Sequence, residues 1–244
     1  MKVYVVNLAR DVERMASVKR QLDALCVPFE RVEAVDGSAM SADELRRAYS
    51  PFRWWCATGR RIRPGEVGCA ASHYAIYAKA DFPVCILEDD VSLAPEFPET
   101  LDEVSRFIDA KRPQVVLLSD LKGRARKEAG RDGITPSRGG TCTDGYVITP
   151  PACRVLLKAN NPMETPCDHW GRWAKRGCIE LYHAFPAVVA QRADVFGSSI
   201  CHDAGIVRRS LPGKAMHAAA RAAGLAIDAL LWRCGQGRIA SEVR

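Results

Sequence analysis

Several common functional signatures are missing from this sequence of 244 residues. No Gly-x-Gly-x-x-Gly or phosphate-loop pattern follows the first predicted strand, which argues against a dinucleotide-dependent enzyme and against a kinase-type nucleotide triphosphatase. No run of about 18 apolar residues predicts a transmembrane helix. The N-terminus enters a strand pattern at once and is too short for a signal peptide. These absences favour a cytoplasmic protein.

Closely spaced cysteine pairs are also missing, although the chain contains ten cysteines. They are spread along its whole length without a Cys-x-x-Cys pair, which argues against a disulfide framework and against a bound zinc ion. Cys69, Cys85 and Cys153 fall in apolar runs, where cysteine behaves as a small hydrophobic residue. We therefore expect a reducing compartment.

The positive charge is concentrated at the C-terminal end of the chain. Residues 205–244 carry seven Lys or Arg and two acids, a net charge of +5, whereas the whole chain carries +6. We predict a domain over residues 1–204 and a basic helical tail over residues 205–244. Within the tail, 213–233 reads as an alanine-rich amphipathic helix that would lie on an anionic membrane surface. The alternative is a terminal helix docked on the protein core.

The first part of the chain reads as an α/β fold. Lys2–Leu8 predicts a strand, Asp11 is a plausible N-cap for a helix to Leu25, and Phe29–Val35 predicts a second strand. A polar turn begins at Asp36. Strand, helix and strand in this order are typical of nucleotide-binding α/β domains.

Three consecutive acids follow a short apolar run at Val84–Leu87. Such a run predicts a buried strand, and open α/β sheets bind ligands at the carboxyl ends of their strands. Glu88, Asp89 and Asp90 would repel one another unless a cation lay among them, and their oxygens suit Mg²⁺ or Mn²⁺ shared with substrate phosphates. We therefore predict a metal–diphosphate site. The alternative is a solvated acidic turn before the helix predicted near Pro98.

Two further segments carry candidate functional residues. Tyr49–Arg63 contains two adjacent tryptophans and four arginines. We interpret it as an irregular segment that either stacks on sugar rings or anchors a loop to the core. A helix with many small residues is predicted from Pro64, with Ser72 and His73 on its first turns. The histidine could equally be a structural, hydrogen-bonded residue.

Four ordered sequence blocks together resemble glycosyltransferase family 25. They are Tyr4–Leu8 followed by Arg14, Ala34–Gly37, Gly65–Cys69 with Ser72 and His73, and Ile86–Val91. The similarity runs to about Ile200 and includes Pro166–Trp170 and Pro186–Gln191. The resemblance implies a GT-A-like, Rossmann-type α/β fold with a mixed sheet, a nucleotide-sugar donor that is usually UDP-galactose, and a divalent metal.

The resemblance and the acid spacing together give a set of candidate site residues. For the nucleotide sugar they are Asn7, Arg10, Arg14, Asp36, Gly65, Ser72, His73, Glu88 and Asp89. For the metal, Mn²⁺ or Mg²⁺, they are Asp90, Glu88 and His202. Glu88 and Asp90 are two residues apart, and alternate residues of an extended chain face the same way. Glu88 could contact ribose or the metal, and His202 could be a surface histidine.

The resemblance implies inversion at the anomeric carbon, which needs a general base. We assign this role to Asp168, whose alternative is the N-cap of the helix that follows it. Asp144 could contact the acceptor or belong to a turn.

These observations predict a metal-dependent galactosyltransferase that acts on a terminal sugar of a lipopolysaccharide or lipooligosaccharide. It would work at the cytoplasmic face of the inner membrane, with an oligosaccharide or glycolipid acceptor and no nucleic-acid partner. The alternatives are a transferase that uses another UDP-sugar, a glycosidase, and a non-catalytic carbohydrate-binding or membrane-adaptor protein. DNA binding is a weak alternative, because only the basic tail could support it and the rest of the chain has no basic patterning.

Overall fold

A mixed β-sheet with helices on both faces forms the core of the protein. The computed structural model describes residues 1–120, 131–137 and 139–192, together with Ala222. The strands are β1 Lys2–Asn7, β2 Phe29–Glu33, β3 Val84–Glu88, β4 Val91–Leu93, β5 Gln114–Leu117, β6 Gly133–Pro136, β7 Gly145–Ile148, β8 Glu180–Phe185 and β9 Val189–Gln191. Seven of them form one sheet in the order β2-β1-β3-β7-β5-β8-β6, and β4 pairs with β9 in a separate antiparallel ribbon.

Within the large sheet, β6 and β7 run opposite to the other strands. The helices are α1 Val12–Ala24, α2 Ala42–Ala48, α3 Pro51–Thr58, α4 Pro64–Tyr77, α5 Phe97–Phe107, α6 Pro150–Ala159 and α7 Trp170–Lys175, and a 3₁₀ turn spans Gly37–Ala39. The predicted α/β class with a mixed sheet is thus confirmed. The GT-A assignment stays a prediction, and the tail lies outside the described residues except for Ala222.

The apolar run before the acids is a central strand of the sheet. Val84 and Ile86 pack on one face with α4, α6 and α7, whereas Cys85 and Leu87 pack on the other face with α1 and α5. All four side chains are buried. A strand covered on both faces has no polar side, which explains why β3 reads as four consecutive apolar residues.

Within the described residues, no helix combines the length and the apolar character needed to cross a bilayer.

Two local predictions were wrong. The segment predicted to be irregular contains helix α3, which begins with Pro51 and ends at Gly59 in the left-handed conformation with φ 68°. Trp54 is fully buried in it, as expected of a residue that anchors the segment to the core. Ser72 and His73 lie in the third turn of α4 rather than in its first turns, because α4 already begins at Pro64.

Two glycines let the backbone of α4 approach the segment after β2. A Cβ added at Gly68 would lie 2.5 Å from the Val35 carbonyl oxygen and 2.6 Å from the Gly37 nitrogen. A Cβ added at Gly37 would lie 1.8 Å from the Pro64 carbonyl oxygen. Both clashes are with backbone, which cannot rotate away. The two glycines therefore fix the distance between α4 and the end of β2.

We expect Gly68→Ala to lower the free energy of unfolding by about 1–3 kcal/mol, the usual cost of inserting a methyl group into a packed contact. For a chain of this size the midpoint of thermal unfolding would fall by roughly 2–12 °C. Gly139→Ala is the matched control, since a Cβ there meets nothing within 4 Å. Identical thermal unfolding curves for the two variants would show that the close approach is not required.

Candidate nucleotide-sugar site

The candidate site is a cleft at the carboxyl ends of the parallel strands β1, β2 and β3. The cleft encloses about 270 Å³. Nine of the residues predicted from the sequence line it: Arg10, Arg14, Asp36, Gly65, Ser72, His73, Glu88, Asp89 and Asp90. Side chains from the ends of neighbouring parallel strands meet at one edge of a sheet, which is where open α/β folds bind ligands.

Asn7 supports the cleft from behind without lining it. Its side-chain amide donates to Asp89 Oδ2 at 2.6 Å and to the Asp11 carbonyl oxygen at 3.0 Å, and its Oδ1 accepts from Arg31 Nε at 2.8 Å. Asn7 is buried. It therefore ties the second of the three acids to the first turn of α1.

Arg14 is the positive charge between two of the three acids. Its Nη1 lies 3.4 Å from Asp89 Oδ1 and 3.6 Å from Asp90 Oδ2, and all three side chains are at least 87% buried, with exposures of 13%, 9% and 6%. Because Arg14 sits on α1 directly above the end of β3, the fold itself places a cation where the sequence argument required one.

Asp90 has one carboxylate oxygen that no described residue satisfies. Its Oδ2 faces Gln191 Nε2 at 3.5 Å, whereas its Oδ1 is buried without a hydrogen-bond partner among the described residues. Burial, and next to it the negative charge of Glu88, raises the pKa of Asp90 to about 6. Burial also raises the pKa of Asp89. An unsatisfied buried carboxylate oxygen is costly and is a natural ligand for a hard cation.

Glu88 faces a different set of residues from Asp90. Its Oε1 accepts a hydrogen bond from Thr143 Oγ1 and lies 3.6 Å from His73 Nε2 and 3.9 Å from Cys69 Sγ. Burial alone would raise the pKa of Glu88, but His73 and Thr143 lower it overall. Glu88 and Asp90 thus line one cleft, as the acid spacing predicted, but they contact different partners.

The rim of the cleft is formed by the turn after β2. Arg10 and Asp36 form an ion pair there, and Asp36 Oδ1 accepts from the Ser38 backbone nitrogen at 3.0 Å and from Ser38 Oγ at 2.6 Å. These contacts hold the pKa of Asp36 below its usual value, with Ser38 contributing most. The turn predicted at Asp36 is therefore present, and it carries a fixed negative charge.

Ser72 and His73 are both engaged in contacts that position α4. Ser72 Oγ accepts from the Val35 nitrogen at 2.8 Å and donates to the Gly68 carbonyl oxygen at 2.7 Å. His73 Nδ1 lies 2.7 Å from the Tyr146 hydroxyl. The serine hydroxyl is thus used in joining α4 to the segment after β2, while the second nitrogen of His73 faces Glu88.

The two candidate bases lie beside the cleft rather than on its lining. Asp168 Oδ2 accepts from the Cys142 nitrogen at 3.1 Å, and His169, not Asp168, occupies the N-cap position of α7. Asp144 is buried, its Oδ1 accepts from Ser119 Oγ at 2.6 Å, and burial raises its pKa to about 7. Asp144 follows Thr143 directly, and Asp168, through Cys142, contacts the same chain segment 142–144. His202 lies outside the described residues.

Three residues that contact the acids are absent from the site predicted from the sequence. Cys69 and Thr143 contact Glu88, and Gln191 reaches Asp90 from β9. The spacing of Cys69 and His73, four residues apart on a helix, places both on one helical face and was a detectable signal. The positions of Thr143 and Gln191 depend on long-range strand pairing, which left no local signal.

Comparison with known proteins agrees with the resemblance seen in the sequence. The family model described as Glycosyltransferase family 25 (LPS biosynthesis protein) matches residues 1–170. Relatives include a glycosyltransferase 25 family member of Drosophila melanogaster, 32% identical over 65% of this chain and 28% of the relative. Another from Aedes aegypti is 35% identical over 45% of this chain and 19% of the relative.

A rat relative, 30% identical over 66% of this chain and 30% of its own length, is named a probable inactive glycosyltransferase 25 family member 3. The aligned region thus spans less than a third of each of these three relatives. The family model, by contrast, covers well over half of this chain. The chain therefore belongs to glycosyltransferase family 25.

Proposed function

We propose that the protein is an inverting, metal-dependent galactosyltransferase that uses UDP-galactose as donor. The acceptor would be a terminal sugar of a lipopolysaccharide or lipooligosaccharide. The observation that carries this proposal is the convergence of Arg10, Arg14 and the three consecutive acids in one cleft at the ends of three parallel strands. Such a cleft offers positive charge for a diphosphate and carboxylates for a cation and sugar hydroxyls.

The nucleotide half of the donor would lie toward the rim. Asp36 is the candidate for a ribose or uracil contact, since its carboxylate is held in place by Ser38 and Arg10. Arg10 and Arg14 would pair with the diphosphate, because guanidinium groups match phosphate oxygens in charge and geometry. Gly65, in the first turn of α4, lets a ligand approach the helix N-terminus, where backbone N–H groups favour anions.

The acids fit a hard divalent cation such as Mn²⁺ or Mg²⁺. Asp90 offers the buried oxygen that lacks a partner, and Asp89 offers a second carboxylate on the same turn. Carboxylate oxygens are the ligands that these cations prefer. When bound, the cation would neutralise negative charge that develops on the departing diphosphate. Glu88 accepts from Thr143 through Oε1, and its other carboxylate oxygen would remain available for a sugar or ribose hydroxyl.

Asp168 is the proposed general base. It is partly exposed, and its hydrogen bond from the Cys142 nitrogen fixes it beside the wall that carries Thr143 and Glu88. A base must reach the acceptor hydroxyl, and the buried Asp144, already bonded to Ser119, is less able to do so. Trp170, which follows Asp168 closely, is fully buried and therefore supports the segment rather than stacking on a sugar.

The proposed acceptor and location depend on the tail. A basic amphipathic helix in residues 205–244 would hold the enzyme on the cytoplasmic face of the inner membrane, where lipid-linked acceptors are presented. The net charge of +5 over these residues supports this interpretation.

Turnover of UDP-sugars tests the proposed function. Purified protein is incubated with a panel of UDP-sugars and Mn²⁺, with and without EDTA, and released UDP is measured. We expect UDP-galactose to give the highest rate, further stimulation by a galactose-accepting oligosaccharide, and loss of the signal with EDTA. Release of UDP from none of the donors, or a rate insensitive to EDTA, would contradict the proposal.

Replacement of the proposed base should separate chemistry from binding. We expect Asp168→Asn to lower kcat for transfer by about 10²–10⁴-fold, the usual contribution of a positioned base, and to leave the Kd for UDP unchanged. Asp144→Asn is the comparison variant and should retain most of the activity. If Asp144→Asn loses transfer and Asp168→Asn does not, the base assignment is reversed.

A non-catalytic, nucleotide-sugar-binding protein is the second candidate. The rat relative carries the word inactive in its name, and Arg14 occupies the position between Asp89 and Asp90 that a cation would share. This candidate predicts UDP binding without UDP release from any donor.

A further inference from the structure

A second group of potential ligands lies on the wall of the cleft opposite Arg14. Cys69, His73 and Glu88 each offer one donor atom, and the three atoms lie within 4.8 Å of one another. Among the described residues this is the one set of three Cys, His, Asp or Glu side chains with that spacing. Asp89 and Asp90, the proposed ligands of the hard cation, are not part of it.

We propose that Cys69, His73 and Glu88 bind a borderline-soft divalent cation of the Zn²⁺ type. This inference stands on the geometry of the three side chains and does not require the protein to be a transferase.

The spacing of the three donor atoms fits tetrahedral coordination. His73 Nε2 lies 3.6 Å from Glu88 Oε1, and Cys69 Sγ lies 3.9 Å from the same oxygen. Zn–S bonds of about 2.3 Å and Zn–N or Zn–O bonds of about 2.0–2.2 Å place neighbouring ligand atoms about 3.4–3.7 Å apart. The two contacts to Glu88 are within a few tenths of an ångström of this spacing. The donor atoms of Cys69 and His73 lie within 4.8 Å of each other and would approach by up to about 1 Å to complete the site.

The nitrogen of His73 that faces this group makes no hydrogen bond within the described part of the chain. His73 is fully buried, and its Nε2 faces the Glu88 carboxylate at 3.6 Å, as an ion-pair partner when the imidazole is protonated. Its Nδ1 lies 2.7 Å from the Tyr146 hydroxyl, which in turn lies 2.6 Å from the Tyr77 hydroxyl. A hydrogen bond at one imidazole nitrogen that orients the other is the usual outer contact of a metal-binding histidine.

The Glu88 carboxylate, like the His73 ring, is oriented by a hydrogen bond. Thr143 donates to the carboxylate oxygen that faces His73 and Cys69, which fixes its direction. Cys69 and His73 are four residues apart on α4, so that the helix presents both to the end of β3. Two of the three ligands thus come from one rigid helix and the third from the strand beside it.

The donor atoms select the class of cation. A thiolate and an imidazole favour Zn²⁺ over Mn²⁺ or Mg²⁺, which prefer oxygen. The Cys167 thiol lies 3.8 Å from Cys69 Sγ, where it could donate to a metal-bound thiolate. All three side chains line the cleft, so a fourth coordination position would face bound ligand or water. The absence of Cys-x-x-Cys pairs therefore does not exclude zinc from this chain.

Cobalt spectroscopy tests the site directly. Metal-free protein is titrated with Co²⁺, and we expect a thiolate-to-cobalt charge-transfer band that saturates at one equivalent and disappears when Zn²⁺ is added. Cys69→Ser should abolish the band, whereas Cys26→Ser, at an exposed cysteine just past the C-terminal end of α1, should keep it. A wild-type protein without the band, or a Cys69→Ser protein that keeps it, would overturn the proposal.

A second measurement needs no variant and so does not depend on the folding of Cys69→Ser. The alkylation rate of each cysteine is mapped by mass spectrometry in the native wild-type protein, with and without Zn²⁺. We expect Zn²⁺ to slow alkylation of Cys69 by about tenfold or more, because a metal-bound thiolate is no longer a free nucleophile, and to leave Cys26 unchanged. Equal alkylation of Cys69 in the two conditions would overturn the proposal.

Discussion

We expect Asp90→Asn to lower kcat/KM for UDP-galactose turnover by about 10²–10³-fold or more, as does loss of other groups that stabilise charge in a transition state. Asp90 follows β3 by two residues and carries the buried oxygen that lacks a hydrogen-bond partner among the described residues. Asparagine keeps the size of the side chain but replaces the carboxylate with a neutral amide, which has one oxygen ligand instead of two and no negative charge to attract a cation. Initial rates of UDP release at saturating Mn²⁺ measure the effect.

Although the activity of Asp90→Asn should fall, its stability relative to wild type should rise with pH. The folded-state pKa of Asp90, about 6, lies above its ordinary value of 3.8, so its contribution to stability is present below pH 3.8 and is lost as the pH rises through 6. The Asp90→Asn variant has no carboxyl group to titrate at this position and therefore does not lose this stability. In EDTA the variant should therefore gain stability relative to wild type as the pH rises from about 4 to 7.

Asp102→Asn, on the exposed face of α5, is the matched control and should leave both activity and the pH dependence of stability unchanged. An Asp90→Asn protein that unfolds at lower temperature than wild type above pH 6 would mean that the carboxylate serves the fold. Full activity in that variant would remove Asp90 from the proposed site.

We expect Arg14→Gln to be the most destabilising single change in the cleft. Arg14 lies between two carboxylates that are 9% and 6% exposed, and removal of one partner of a buried ion pair costs about 3–5 kcal/mol. The midpoint of thermal unfolding in EDTA should fall by roughly 6–20 °C. UDP release should also fall, because Arg14 is a proposed diphosphate ligand.

Mn²⁺ distinguishes a metal site from a purely structural ion pair in this variant. If Asp89 and Asp90 bind the cation, loss of the arginine charge strengthens that binding. Saturating Mn²⁺ should then raise the unfolding temperature of Arg14→Gln by more than it raises that of wild type. Arg20→Gln, on the exposed side of α1, serves as the control. Equal Mn²⁺ shifts in both proteins would argue that these acids do not bind the cation.

The elements that could be predicted from the sequence are those with local signals. β1, α1, β2 and β3 follow from apolar periodicity and from the acids that end β3. Helix α3 was missed because its aromatic and basic residues do not form a simple apolar stripe, although Pro51 and Gly59 bracket it. The ribbon of β4 and β9 joins residues about 100 positions apart, and no local pattern specifies such a pairing.

The candidate site, like the fold, could be predicted from the sequence only in part. Parallel strands bring Asp36 and Glu88 to one edge, so their proximity could be predicted from the fold class alone. The partners of each acid could not be predicted, because they depend on side-chain directions. Three adjacent acids require a positive charge nearby, and Arg14 pairs with two of them. The third acid, Glu88, faces His73.

A crystal structure with UDP and Mn²⁺ tests the central claim most directly, namely that this cleft holds the nucleotide and its cation. We predict the diphosphate beside Arg10 and Arg14, the nucleoside toward Asp36, and the cation on Asp90. A nucleotide bound elsewhere on the protein, with the Asp90 carboxylate in contact with Arg14 alone, would contradict the account.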